Sequence, residues 1–368
     1  MNSLPKNNLY IKISLLLLFM VQAMSTFAQN IEKVPWKRIN EQPDTWYESE
    51  EAIRIAENML LHQKDIGGWY KNIDMSVQLS EEEKSRLRKD KSSNMGATLD
   101  NDAGFIQIAF LSKTYRETKD PRFSQAVFKA LDYMMDAQYE NGGWPQYYPI
   151  REGYYEHITF NDGAMIQVMQ LLRNVADGKK TYDFVDADRK QRAQKAIEKG
   201  LEIILRTQIK VDGTLTAWCA QYDKDDLSPA KARAYELPSI SGSESVGIVR
   251  YLMAIENPEP KVVQAIESAI AWFEVVKLEG IKLVQKEDET LPRGYDRIVV
   301  KDETAGPLWA RFYEIGTNRP MFVGRDSVVR YALHEIEHER RVGYSYLGPY
   351  AKELLESDYP EWKRRMGD

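Results

Sequence analysis

The sequence predicts an all-α protein built as a ring of helical hairpins, an α/α toroid, with its polar loops gathered at one end. Three observations carry that expectation. Apolar residues recur at helical spacing along most of the chain, strand-type alternation is nearly absent, and one short motif returns at intervals long enough for two helices and their connections. With 368 residues and 43% hydrophobic content the chain can bury a substantial core as one large domain or two smaller ones.

In chain order, residues 1–28 read as a secretory signal peptide. Lys6 and Lys12 precede the apolar run that ends at Val21, and Thr26-Phe27-Ala28 offers small residues at the two critical positions of a cleavage site. The run is too short and wrongly flanked for a membrane span, so the protein is expected to be exported, to the periplasm or beyond. Its one cysteine, Cys219, rules out an internal disulfide.

The motif follows. Gln63-Lys-Asp-Ile-Gly67-Gly68-Trp69 recurs as Gln138-Tyr-Glu-Asn-Gly142-Gly143-Trp144 and, degenerate, as Gln208-Ile-Lys-Val-Asp212-Gly213; the glutamines lie 75 and 70 residues apart. Each glycine pair is read as a helix stop, because glycine enters the left-handed cap without a Cβ clash. Helical hairpins that cannot bury their faces alone must stack or close on one another, as a ring or as an open solenoid. Helical faces are expected through Phe123, Val127, Ala130, Leu131 and Met134 after Pro121, then through Ala164, Met165, Val168, Met169 and Leu172. A third face is expected through Ala193, Ile197, Leu201, Ile204 and Leu205. The charge runs at 81–91 and 186–199 read as solvated helix faces or loops. Residues 291–301 are the best candidate for a short β-hairpin, and the tail 359–368 is expected to pack on the outside.

Residues 218–245 look chemical. The stretch has neither period, holds Pro229 and Pro238, and packs Lys231, Arg233, Tyr235 and Glu236 into six positions. It runs into a helix start, Ser241-x-x-Glu244, which reads as a capping box ahead of Val246, Val249 and Leu252. A rigid helix anchoring an irregular polar loop is a common way to hold a site; solvated loop charges are the bland alternative. Two further places join acid to amide at a helix start, Asp100-Asn101-Asp102 and Asn161-Asp162. They serve as simple N-caps or, together, as hard oxygen donors for Ca²⁺. The positive helix ends oppose a cation, so substrate carboxylates would have to complete such a site. Residues 307–326 set Arg311, Arg319 and Arg325 among aromatics and glycines, suited either to carboxylate binding or to ion pairs with Glu314 and Asp326.

His334-Glu335-Ile336-Glu337-His338 matches the H-E-x-x-H zinc pattern. On a helix, however, its apolar seam would be Val329, Ala332, Leu333 and Ile336, which leaves both histidines in solvent. No Gly-x-Ser-x-Gly elbow occurs. A net charge of −6 gives no global reason for nucleic acid or an anionic membrane as partner, and an anionic ligand would need local cations.

The Gln-x-x-x-Gly-Gly-Trp copies resemble the glutamine-tryptophan repeats of terpene cyclases, which supports architecture more than activity. A longer set of blocks is far more specific: Gly67-Gly-Trp-Tyr-Lys-Asn72, Thr98-Leu-Asp-Asn101, Asn141-Gly-Gly-Trp-Pro-Gln146, His157-Ile-Thr-Phe-Asn-Asp162, Trp218-Cys-Ala-Gln221, Pro229-Ala-Lys-Ala-Arg-Ala-Tyr-Glu-Leu-Pro-Ser239 and Trp309-Ala-Arg-Phe-Tyr-Glu-Ile-Gly-Thr-Asn-Arg-Pro320. Over roughly residues 45 to 365 these resemble the pectate lyases of polysaccharide lyase family ten. The resemblance implies one catalytic domain over 29–368 and calcium-assisted β-elimination on polygalacturonate. It makes Arg233 the Brønsted base and puts Asp100, Asn101 and Asp162 at the Ca²⁺ site, with Asp100 also toward substrate. Lys231, Arg311 and Arg325 would then bind uronate carboxylates. A glycoside hydrolase on the same toroid and a non-catalytic carbohydrate-binding protein are the competing readings. A monomer is expected.

Overall fold

The computed structural model describes residues 34–93 and 95–367, so the proposed signal peptide lies outside the described residues. Two units are distinguished, one ending at Gln42, whose described residues 34–42 hold the 3₁₀ turn Trp36–Glu41, and the other spanning Pro43–Asp368. All that follows concerns the second.

Helices dominate. They are α1 Glu50–His62, α2 Glu81–Asp90, α3 Phe105–Thr118, α4 Pro121–Asp136, α5 Ala164–Ala176, α6 Ala187–Thr207, α7 Glu244–Met253, α8 Pro260–Val275, α9 His338–Gly343 and α10 Tyr359–Met366. Three hairpins, α3/α4, α5/α6 and α7/α8, stand side by side. The first helices of the hairpins touch in sequence, α3 to α5 to α7, and the second helices do the same, α1 to α4 to α6 to α8. The result is the two-layered helical toroid.

Local chemistry explains each hairpin. α4 begins with Pro121 at its first turn and Asp120 accepting from Arg122 N, and it buries Phe123, Val127, Ala130, Leu131 and Met134, the face the periodicity predicts. α6 is capped by Asp186 and its solvent side carries the charge run, with Arg189 and Arg192 reaching Asp132 of α4. Its buried face is rotated slightly from the expected one, running through Ala196, Gly200 and Ile203 and leaving Ile197, Leu201 and Leu205 half-buried. Gly200 is the cause: a Cβ there would lie 2.9 Å from Met169 of α5, so the absence of one lets the hairpin close.

The repeated motif is the joint between hairpins. Gln63 donates through Nε2 to Gly67 O and to Ala126 O of α4; Gln138 donates to Gly142 O and to Ala196 O of α6; Gln208 donates to Thr216 O and to Ala265 O of α8; all six distances are 2.9 Å. One amide thus closes its own turn and stitches it to the next hairpin. The glycines do not cap the helices as expected, since Gln63 itself is the extended C-cap of α1. Instead Gly67 (φ +112°) and Gly142 (φ +101°) press against the carbonyls of Lys129 and Lys199, where a Cβ would stand 2.4 Å from the oxygen. The third copy keeps its tryptophan after all: the hairpin formed by Lys210–Val211 and Thr214–Leu215 is inserted before Trp218. Trp69, Trp144, Trp218 and Trp309 are all buried and donate from Nε1 to Met59, Met134, Ile204 and Phe273 O at 2.7 to 2.9 Å.

Three residues beyond a tryptophan the chain pairs with the segment leading into the preceding hairpin: Tyr147 with Thr98, Gln221 with Thr159, Phe312 with Ser241. These antiparallel contacts line up the polar segments at one end of the helices. The longest hairpin pairs Ile281–Glu287 with Tyr295–Lys301. It extends earlier than residues 291–301, because 288–294 form its turn, with Asp288 accepting from Thr290 N and Gly294 at φ +72°.

Candidate active site

The joints put a polar side chain two residues past each of three tryptophans, Lys71, Gln146 and Arg311, opposite an acid that leads into a helix. Lys71 Nζ donates to Asp100 Oδ2 at 2.5 Å and Gln146 Nε2 to the same oxygen at 2.6 Å. Arg311 forms an ion pair with Glu244 and reaches Asp162 Oδ1 at 3.3 Å and Asn161 Oδ1 at 3.4 Å. Asp100, Asn101, Asn161 and Asp162 then share the wall of one cavity of about 120 Å³ with Lys71 and Gln146. The loop of residues 218–245 supplies Arg233 and Glu236 to the same cavity, and Tyr154 borders it.

Neither acid is spent on capping. α3 and α5 start from Gly104 and Gly163 without side-chain cap bonds. The backbone turns that aim the acids are left-handed at Asn101 (φ +51°), Asp102 (φ +61°) and Asp162 (φ +51°). Asn and Asp are the types that tolerate this region, which costs of order 1 kcal/mol or more per residue. Asp100 is buried, and its Oδ1 has no partner among the described residues. A carboxylate oxygen left buried and unpaired is costly unless a ligand completes it. Asp162 is half-exposed, with Oδ2 accepting from Asn161 Nδ2 at 2.8 Å. No group of three His, Cys, Asp or Glu side chains that could hold a metal occurs among the described residues. The cavity therefore offers a hard cation Asp100, Asp162 and the neighbouring amide Asn101, fewer donors than calcium takes, with water and ligand carboxylates needed for the rest.

Arg233 forks onto buried Glu236, Nε to Oε2 at 2.7 Å and Nη2 to Oε1 at 2.5 Å. Glu236 raises the guanidinium's pKa above its already high value, with burial opposing. Lys231 does not reach the cavity: its ammonium is exposed and donates to Ser327 Oγ at 3.2 Å. For Glu236, burial works against the charge, and Arg233 and Tyr344 outweigh it, so its pKa falls below the ordinary carboxylate value. Burial also disfavours the charge on Arg311, but Glu244, Tyr344 and Asp162 prevail and its pKa rises. For Lys71 burial is offset by Asp100, and the pKa rises.

The site residues therefore divide. Arg233, Asp100, Asn101 and Asp162 line the cavity; Arg311 stands behind it, holding Asp162; Lys231 and Arg325 do not line it, and Arg325 pairs with Glu339. Sequence reasoning missed Lys71 and Gln146, although their shared position after the repeat's tryptophan marks them. It also misread Glu244. Ser241 Oγ does accept from Glu244 N at 3.1 Å and donates to one Glu244 oxygen, but α7 starts only at Glu244, and the other oxygen belongs to Arg311. The H-E-x-x-H stretch forms no single helix. Its first part is the 3₁₀ turn Leu333–Glu335, and α9 begins at His338, whose Nε2 lies 2.8 Å from Tyr295 O. The two histidines share no helix face.

A family model described as pectic acid lyase matches residues 63–355. The fold and sequence are similar to the family 10 polysaccharide lyase from Cellvibrio cellulosa, with 32% identity, a TM-score of 0.72, and 86% of this chain and 94% of that chain covered. A mutant of the Cellvibrio cellulosa lyase in complex with trigalacturonic acid gives 30% identity and a TM-score of 0.72, covering 89% of this chain and 99% of that one. No curated protein matches the sequence.

Proposed function

The chain belongs to the pectic acid lyase family and is a pectate lyase, and on that premise we propose an exported, endo-acting enzyme that cleaves polygalacturonate by calcium-assisted β-elimination, with Arg233 as base. The observation that supports this reading is the meeting of Arg233 with Asp100 and Asp162 in one polar cavity.

Asp100, through its unpartnered Oδ1, Asp162 and Asn101 are the residues that would hold Ca²⁺. Bound there, the ion would neutralise the uronate carboxylate and acidify the neighbouring C5 proton. Lys71 and Gln146 fix the Asp100 carboxylate, and Arg311 fixes Asp162. These bonds orient the two carboxylates that would hold the cation, whose positive charge would oppose the negative, enolate-like charge developing on the substrate. Arg233 removes the C5 proton. The C5–H electron pair forms the C4–C5 double bond, the bond from C4 to the glycosidic oxygen breaks, and that oxygen takes a proton from solvent. Two nitrogens of Arg233 are engaged by Glu236, and Nη1 is the one left for substrate. Because Glu236 favours the charged guanidinium, turnover requires alkaline pH. Lys231 and Arg325, outside the cavity, would take carboxylates of flanking units, and Arg311 the carboxylate nearest Asp162.

The test is polygalacturonate with and without Ca²⁺ at alkaline pH, following ultraviolet absorbance of the unsaturated product. Reducing ends released without a new double bond would instead mark a glycoside hydrolase, and binding without either would mark a carbohydrate-binding protein. Arg233→Ala should cut kcat by roughly 10²–10⁴-fold while oligogalacturonate binding persists; retention of most turnover removes Arg233 from the base role. Asp162→Ala should weaken the calcium response, and an unchanged response rejects Asp162 as a ligand. Among the described residues no helix is long and apolar enough to cross a membrane.

A further inference from the structure

We propose that Arg151, Tyr155 and Tyr154 form a uronate-binding ledge beside the cavity, which takes the carboxylate of a neighbouring sugar in the same polyuronate chain. The proposal rests on the polygalacturonate reading above and extends it to residues outside the elimination chemistry.

Tyr154 borders the cavity and lies against Tyr155, with ring centroids 4.0 Å apart and planes tilted by 36°. Tyr155 in turn meets Tyr147 edge-on at 5.2 Å. Arg151 lies over this pair, its guanidinium carbon 4.3 Å from the Tyr155 centroid and 5.6 Å from that of Tyr147. The guanidinium is exposed, and no hydrogen bond or ion pair ties it to another described residue. Beside the cavity Arg233 and Arg311 each already carry a protein carboxylate, Glu236 and Glu244, whereas Arg151 carries none. A guanidinium supported by aromatic rings and free of any protein carboxylate has its N–H fork available for one from a ligand. The rings also restrict its motion, so less freedom is lost on binding.

The ledge is built in register with the cavity. Gln146 donates its backbone N–H to Tyr155 O at 3.0 Å and its side-chain amide to Asp100. A second anchor, Tyr139 Oη to Glu156 O at 2.7 Å, pins the far end of the loop. The same residue thus fixes both the acid of the cavity and the floor of the ledge. A polymer with a carboxylate on every unit can engage both at once, whereas a neutral polysaccharide gains nothing from Arg151.

The experiment compares wild type, Arg151→Gln, Arg151→Lys and Arg206→Gln, the last removing one exposed positive charge from α6 as a control. With polygalacturonate, Arg151→Gln should raise KM roughly five- to tenfold with kcat within about twofold, since the contact is made equally before and during reaction. Arg151→Lys should recover only part of the loss, and the gap between Arg151→Gln and wild type should narrow as salt is raised. Calorimetric binding of an oligogalacturonate should weaken in parallel. That second readout decides the proposal even if wild type makes no unsaturated product, the result that would sink the elimination reading by itself. A KM and a binding constant for Arg151→Gln matching those of Arg206→Gln would overturn the ledge, and so would a loss confined to kcat.

Discussion

Arg233 is an awkward base, and the awkwardness sits on one residue, Glu236. The groups in direct contact with the guanidinium are Glu236, Tyr344, Tyr235 and Tyr154, with the Tyr235 and Tyr344 ring centroids 5.0 and 5.7 Å away and Tyr344 Oη donating to Glu236 Oε1 at 2.8 Å; Arg311 lies over the same Tyr344 ring and Arg340 and Arg325 over Tyr235, each already paired with a carboxylate. None of the groups in direct contact supplies positive charge to drive the proton off. Glu236 does the reverse, raising the Arg233 pKa, so if Arg233 acts unprotonated the rate must climb with pH. Glu236→Gln removes the largest cause of that rise and should move the alkaline limb of kcat/KM to lower pH by about one unit or more. The maximal kcat should fall at the same time, because the fork that orients the side chain is lost. A pH profile over the alkaline range checks both effects. An unmoved limb with reduced kcat would mean that Glu236 only positions Arg233 and that some other group titrates. The loop carrying these two residues was legible in the sequence because it lacks any period and crowds charge. Lys71 and Gln146 were not singled out, since their importance depends on a partner 29 or 46 positions away in the chain.

At the level of elements, the helices were legible because each hairpin buries one stripe, and the joints were legible as a repeat whose purpose was not. A glycine pair after a helix suggests a cap. What the sequence does not display is the neighbouring helix that the glycine must let in, because that contact spans some sixty residues. The H-E-x-x-H stretch failed as a helix for a related reason. Leu333 and Ile336 are buried while His334 and Glu335 are exposed, a spacing that a short 3₁₀ turn satisfies as well as an α-helix does. The stitch and the close approach can be tested separately. Gln138→Leu keeps the volume but abandons two backbone carbonyls, and should cost about 1–3 kcal/mol. Gly142→Ala forces a side chain onto Lys199 O at a left-handed φ, and should cost at least about 2 kcal/mol. Urea melts of both variants check these values. A neutral Gln138→Leu would show that the amide is a passenger of the turn rather than the seam between hairpins.

For the whole molecule, charge decides where the structure gives way as the solution is acidified. His62, at the end of α1, is kept from protonating mainly by burial and then by Lys64, so its pKa lies below 6.5. The unfolded chain binds that proton more readily, and the stability it contributes begins to disappear as pH falls below 6.5. The carboxylates follow. Asp296 is depressed chiefly by Arg341, Asp186 chiefly by the Arg189 backbone N–H that it caps, and Glu339 is lowered to about 2 by Arg340 and Arg325. A depressed carboxylate contributes fully above its unfolded value and loses that contribution as pH drops through its folded one, from 4.5 toward about 2 for Glu339. Two of these ties lie outside the helical layers: Arg341–Asp296 fastens α9 to the long hairpin, and Arg325–Glu339 fastens α9 to the preceding turn. The melting temperature should therefore decline shallowly below pH 6.5 and steeply in the carboxylate range, with the α9 region opening before the hairpins do. Hydrogen exchange at acid pH distinguishes that order. Simultaneous loss of protection in α9 and α5 would mean that the appendage and the toroid are one cooperative unit, and a melting temperature flat down to pH 5 would remove His62 from the account.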